Sequence, residues 1–114
     1  MSNYNLTEEH LVRAEQLAKS GKSRSTSQSL HRLRGEWRLE QGRWDLAVES
    51  LQEAVRMEHE VGQTDAWSET WLALARFHLG QLSNPRHEAE RLTQAYGHFR
   101  PLAELWLAIR HDAK

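Results

Sequence analysis

Residues 33–54 read LRGEWRLEQGRWDLAVESLQEA, and the fold turns on this stretch. Its first half, with Leu30 just upstream, spaces Leu33, Trp37 and Leu39 along a helix that stops at Gln41-Gly42. A second helix follows almost at once, from about Trp44 to Val61. It turns Leu46, Ala47, Leu51, Ala54 and Val55 inward and ends at Gly62. Two apolar stripes joined by so short a turn predict an antiparallel helix pair.

The same punctuation extends in both directions. Upstream, Thr7 caps a helix that carries Leu11, Ala14, Leu17 and Ala18 and closes at Gly21; a polar, Ser-rich basic connector follows at 20–29, and Ser25 or Ser27 caps the next helix. Downstream, Asp65 caps a helix in which Trp67, Trp71, Leu72, Leu74, Ala75 and Leu79 line more than one face, as in a helix packed between neighbours. Ser83-Asn84-Pro85 opens another, with Ala89, Leu92 and Ala95 or Tyr96 inward. Pro101 opens the last, with Leu102, Leu105, Trp106 and Ile109. No run alternates apolar with polar β-branched residues, so the expected class is all-α, with about six helices.

Composition agrees and narrows the function. A chain of 114 residues suits one domain over 1–114. Leu, Ala, Glu, Gln and Arg are good helix formers. There is no cysteine, which excludes disulfides and thiolate metal sites. No signal peptide and no apolar run of membrane-spanning length are found, so a cytoplasmic protein without a membrane partner is expected. Net charge is −1, but residues 1–44 hold eight basic against five acidic side chains and residues 45–114 hold seven against eleven. The basic third keeps one alternative in view, a helical nucleic-acid-associated regulator; solvated helix faces explain the imbalance more simply.

The chain also repeats itself. Residues 67–75 return as 102–110 at a shift of 35, matching Glu69 to Glu104, Trp71 to Trp106, Leu72 to Leu107 and Ala73 to Ala108. Gln41-Gly42 returns as Leu79-Gly80 at a shift of 38, and a shift of 40 lays Leu11, Ala14 and Leu17 on Leu51, Ala54 and Met57. Periods of this size fit a stacked helix-turn-helix unit. With Gly35 where the two helices touch, Gly42 before the turn, Trp44 after it, and Ala47 and Ala54 at small positions, residues 33–54 resemble one tetratricopeptide repeat. The longer units, without the repeat proline, are similar to helical arrays in sensor regions of bacterial signalling ATPases. The resemblance implies a right-handed superhelix of antiparallel helix pairs: a half-unit at 7–21, units at 27–62 and 65–97, and a half-unit at 101–111.

Enzymatic chemistry finds little footing. His59-Glu60 and His87-Glu88 have no histidine four residues on, as a zinc-protease helix requires, so no metal is expected. Residues 20–23, SGKS, end like a phosphate-binding loop, but Gln16 stands where that loop needs glycine and a helix precedes it. No catalytic residues and no cofactor are expected. The family resemblance implies instead a scaffold or adaptor, with the first helix of each unit lining a concave groove for a protein or peptide partner. Carried onto this chain, the groove residues are Arg32, Glu36 and Glu40 from one helix and Trp67, Thr70, Leu74 and His78 from the next. The apolar face of Leu102, Leu105, Trp106 and Ile109, with no polar capping helix after it, suggests an open end for self-association or a partner.

Overall fold

A computed structural model of the chain describes Gln16 and residues 24–112. These hold five helices: α1 (Arg24–Glu40), α2 (Trp44–Glu60), α3 (Ala66–His78), α4 (Pro85–Tyr96) and α5 (Arg100–Asp112). No strand occurs among the described residues, and none of their helices is long and apolar enough to cross a membrane. The helix expected at 7–21 lies outside them, apart from Gln16, which is helical and exposed; the described residues thus hold five helices where about six were expected for the chain. α1 begins at Arg24, so Ser25 and Ser27 lie inside the helix they were expected to cap, and the latter half of the 20–29 connector is helical.

The helix boundaries follow from local chemistry. The Asp65 carboxylate accepts from the Trp67 amide at 2.9 Å, and Asn84 Oδ1 accepts from the His87 amide at 3.1 Å, so each offsets an orphan donor of a first turn. At the other end, Gly42 and Gly80 adopt φ of +74° and +71°. Their amides bond three residues back, and the amides of Arg43 and Gln81 bond five residues back, to Arg38 and Arg76. This paired closure needs a left-handed residue, which glycine supplies without a Cβ clash.

Packing is densest where α1 crosses α2 and where α2 crosses α3; α3 also touches α4, α5 and α1. α1 and α2 approach so closely at Gly35 that a Cβ placed there would lie 2.4 Å from Leu51 Cγ and 2.6 Å from Cδ2. Leu51, Ala47 and Ala54 are themselves fully buried, so Leu51 cannot give way by swinging into solvent. The core continues through Leu72 to Ala75 of α3, Ala89 and Leu92 of α4, and Leu102, Leu105 and Ile109 of α5.

That last group corrects an expectation. Leu102 and Leu105 are fully buried and Ile109 nearly so, while Trp106 is half-buried and donates its indole N–H to Thr93 Oγ1 at 3.2 Å. They face α3 and α4 rather than an open end, because α5 needs an apolar stripe simply to dock. The exposed large apolar residue on this helix is Leu107, at 51%. Trp37 is half-buried with the Arg38 guanidinium 4.7 Å over its ring. Glu58 is 4% exposed and accepts from Ser68 Oγ at 2.9 Å.

Gly35→Ala tests the close crossing. Overpacking costs ~1–3 kcal/mol and the better helix propensity of alanine returns at most ~1. The variant is therefore expected to lose about 1–2 kcal/mol in urea unfolding. Leu51→Ala should cost less in that background than in the wild type, because it vacates the space the new methyl needs. Equal costs in both backgrounds would show that the two side chains do not compete.

Candidate functional site

Alternate helices converge on one cleft. Glu36, Leu39 and Glu40 of α1, Trp44 at the start of α2, Trp71, Leu74 and His78 of α3, and Glu104 and Ala108 of α5 enclose about 160 Å³. Two contacts give it shape. Trp71 Nε1 donates to Glu36 Oε1 at 2.8 Å, tying α3 to α1. The rings of Trp44 and His78 stack with centroids 4.0 Å apart and planes 13° from parallel, tying the α1–α2 turn to the C-terminal end of α3. Both indoles thereby hold fixed orientations.

The cleft has an acidic lining whose members are engaged within the chain. Its charged lining consists of the carboxylates of Glu36, Glu40 and Glu104. Glu36 is only 7% exposed, and burial holds its carboxyl above the usual range against the opposing pull of Arg32, the Trp71 hydrogen bond and Arg100. Burial also lowers the His78 pKa, which leaves this imidazole neutral at pH 7. The nearest arginines are engaged at the margin: Arg100 lies 3.4 Å from Glu104, and Arg32 lies 3.7 Å from Asp65.

A larger trough of about 630 Å³ lies on the opposite side of α3, between α2 and α4, over Val55, Leu72, Ala73 and Leu82. Its rim charges are matched within the chain. Arg56 bonds to Glu53 and Glu60, and Arg91 bonds to Glu88 at 2.9 Å and lies 4.0 Å from Glu69. The trough is roomier, but the cleft holds the fixed aromatic rings, a feature that discriminates between ligands.

Of the groove residues expected from the sequence, Glu36, Glu40, Leu74 and His78 meet in the cleft. Thr70 does not; it is fully buried and presents nothing to a partner. Arg32 stands beside Asp65 instead. Trp67, 36% exposed, leans its ring on Trp71 at 6.4 Å and on Phe99 at 6.2 Å. The sequence reading missed Leu39, Trp44, Trp71, Glu104 and Ala108 as cleft residues. Trp44 and Trp71 read as packing residues, which they also are. Glu104 was visible only as the repeat partner of Glu69. Among the described residues no group of three His, Cys, Asp or Glu side chains is placed to hold a metal ion.

Compared with known proteins, the chain matches no family model, no curated protein and no solved structure.

The buried carboxyl makes a testable pH signature. The folded state holds the Glu36 proton more tightly than the unfolded chain, whose group titrates near 4.5. Its contribution to stability is thus complete below that value and is lost as pH rises through the raised folded pKa. Glu36→Gln keeps an acceptor for Trp71 and cannot ionise. Relative to wild type, its melting temperature is expected to improve between pH 4 and pH 7 in thermal unfolding followed by circular dichroism. A relative decline over that interval would mean that Arg32 and Arg100 outweigh desolvation. Trp71→Phe, which leaves Glu36 without its indole donor, should cost ~1–3 kcal/mol at pH 7.

Proposed function

We propose that this protein is a non-catalytic interaction scaffold of the tetratricopeptide kind, an adaptor or sensor part of a regulatory system, which holds a partner peptide or helix in the α1/α3/α5 cleft. The observation that carries the reading is the alternation of the helices. α1, α3 and α5 share one cleft, while α2 and α4 flank the trough on the other side of α3. First helices lining one inner surface and second helices the outer is the arrangement the repeat resemblance implies. The α1–α2 pair supports it independently, through the close crossing at Gly35 and the aromatic Trp44 beside the turn. The cleft is also smaller than the ~300–1,000 Å³ typical of cofactor and drug-sized sites, which favours side chains of a macromolecule over a whole small molecule.

Selection of peptides from a random display library against the full chain, followed by NMR mapping of the binders, tests the proposal. Bound peptide should shift the indole N–H signals of Trp44 and Trp71 and leave the backbone amides around Arg56 and Arg91 in place. Trp67→Ala, at the exposed end of the aromatic row, should weaken binding about tenfold, as loss of an interface tryptophan commonly does. Binders that perturb the trough and spare the cleft would overturn the assignment.

A further inference from the structure

We propose that the trough on the far side of α3 is a second binding site, separate from the cleft, for a small amphipathic carboxylate. The charged end of the ligand meets the Arg76 guanidinium, and its apolar body lies along Ala73 and Leu72. The trough holds about 630 Å³, within the ~300–1,000 Å³ typical of small-ligand sites, whereas the cleft is too small. Val55 of α2 and Leu82 of the α3–α4 connection add apolar walls to that stretch.

One guanidinium in the trough stands apart. Three arginines and three glutamates line the space, so net charge selects nothing. Five of these six are engaged within the chain. Arg56 bonds Glu53 and Glu60, Arg91 meets both oxygens of Glu88 at 2.9 Å, and Glu69 accepts from Tyr96. Arg76 is half-buried, and among the described residues its guanidinium makes no hydrogen bond or ion pair. Its charge reaches Glu88 only at longer range; the hydrogen bond from Arg91 is what chiefly holds that carboxyl below its usual range. The donors of Arg76 are therefore the ones a ligand can take without breaking a pair.

The geometry of α3 selects the form of the ligand. Glu69, Leu72, Ala73 and Arg76 recur at helical spacing and share the face that floors the trough. From Arg76 the apolar step to Leu72 runs about 6 Å along the helix axis, and Glu69 follows about 4.5 Å further on. A medium-length acyl or aryl body fills the apolar stretch, and its carboxylate accepts two parallel hydrogen bonds from the guanidinium fork. A phosphate monoester fits less well, because its second charge needs another cation and Arg56 and Arg91 already serve glutamates. A protein surface laid over the trough would dry the half-exposed rim pairs, at a cost that their attraction does not return. A small molecule lies between the pairs and leaves them in water.

NMR titration of the full chain with octanoate, and with octanamide as its neutral counterpart, tests the assignment. Octanoate is expected to shift the backbone amides of Leu72, Ala73 and Leu82 and the side-chain N–H of Arg76. The indole N–H signals of Trp44 and Trp71 should stay in place. Octanoate should bind at least about tenfold tighter than octanamide, as a charge-assisted pair of hydrogen bonds implies. Arg76→Gln keeps a long polar side chain and should erase that difference without changing the far-ultraviolet circular dichroism. Were this variant to misfold, the comparison of the two probes on the wild-type chain would still decide. Equal binding of octanoate and octanamide, shifts confined to the cleft, a preference that survives Arg76→Gln, or no binding of either probe at millimolar concentration would each overturn the site. Library peptides that settle in the trough would overturn it as well, by giving the space to a macromolecule. The two concavities lie on opposite sides of α3, so loss of the carboxylate site leaves the scaffold reading standing wherever peptides still map to the cleft.

Discussion

Five consecutive residues of α3, Trp71 through Ala75, are buried. A helix turns once in about 3.6 residues, so this run leaves no face of its middle turn in water. Such a helix is stable only with neighbours all round, and α3 touches each of the other four. The rest of the architecture follows from meeting that demand with short helices. Four helices set around one cannot all touch each other. α1 pairs with α2 and α4 with α5, whereas α2 and α4 lie against α3 without packing together. The trough is the gap between those two. The cleft is the corresponding gap on the other flank, narrowed by α1 and α5 and roofed by Trp44 on His78. Both concavities are consequences of surrounding α3.

The two gaps differ in how their charges are treated. Around the trough Arg56 bonds carboxylates a turn away on its own helix, and Arg91 does the same with Glu88 while also lying 4.0 Å from Glu69 of α3; such local pairs are the cheap way to solvate a helix surface. Glu36 is handled differently. Its carboxyl is taken out of water and secured by an indole N–H from another helix, with Arg32 and Arg100 acting at longer range. A well-packed apolar residue there would commonly serve stability as well or better, since desolvating a carboxyl costs more than one neutral donor returns. The raised pKa records that imbalance. Glu36 is thus a group held at a cost to folding at the wall of a cleft, the kind of placement in which perturbed carboxyls of functional sites are found.

Much of this was legible from residues 24–112, because the signals were local. Asp65, Asn84 and the glycines at 42, 62 and 80 mark the helix ends by chemistry acting within a few residues, and the helices begin or end beside them. Gly35 was legible for a related reason: a residue without a side chain between apolar stripes has few uses in a helix except a close crossing. The direction in which side chains meet partners from other helices was harder. Glu36 and Glu58 are both buried, yet neither differs locally from Glu53 or Glu60. What buries them is Trp71 and Ser68, which arrive from α3. The apolar stripe of α5 was recognised as a stripe, but periodicity cannot tell a face seeking a partner from one already docked inside the chain.

The internal repeat shows the same limit from another side. Trp71 and Trp106 occupy equal places in two matched segments, but Trp71 is buried and bonds Glu36 across to α1, while Trp106 is half-buried and bonds Thr93 on α4. Leu72 lies against the trough and is 7% exposed; its counterpart Leu107 is 51% exposed. Ala73 and Ala108 both remain at least partly buried. The divergence has a simple cause. α3 has helices on every side, whereas among the described residues α5 packs only on α3 and α4. Equal sequence then yields unequal burial, and the position that loses most is the one pointing where α3 has neighbours and α5 has none. For Glu104 the same asymmetry acts usefully. Its match Glu69 is engaged by Tyr96 and Arg91 on α4, while Glu104 turns to the cleft with Arg100 on its own helix beside it. One repeated carboxylate braces a helix pair, and the other lines the site.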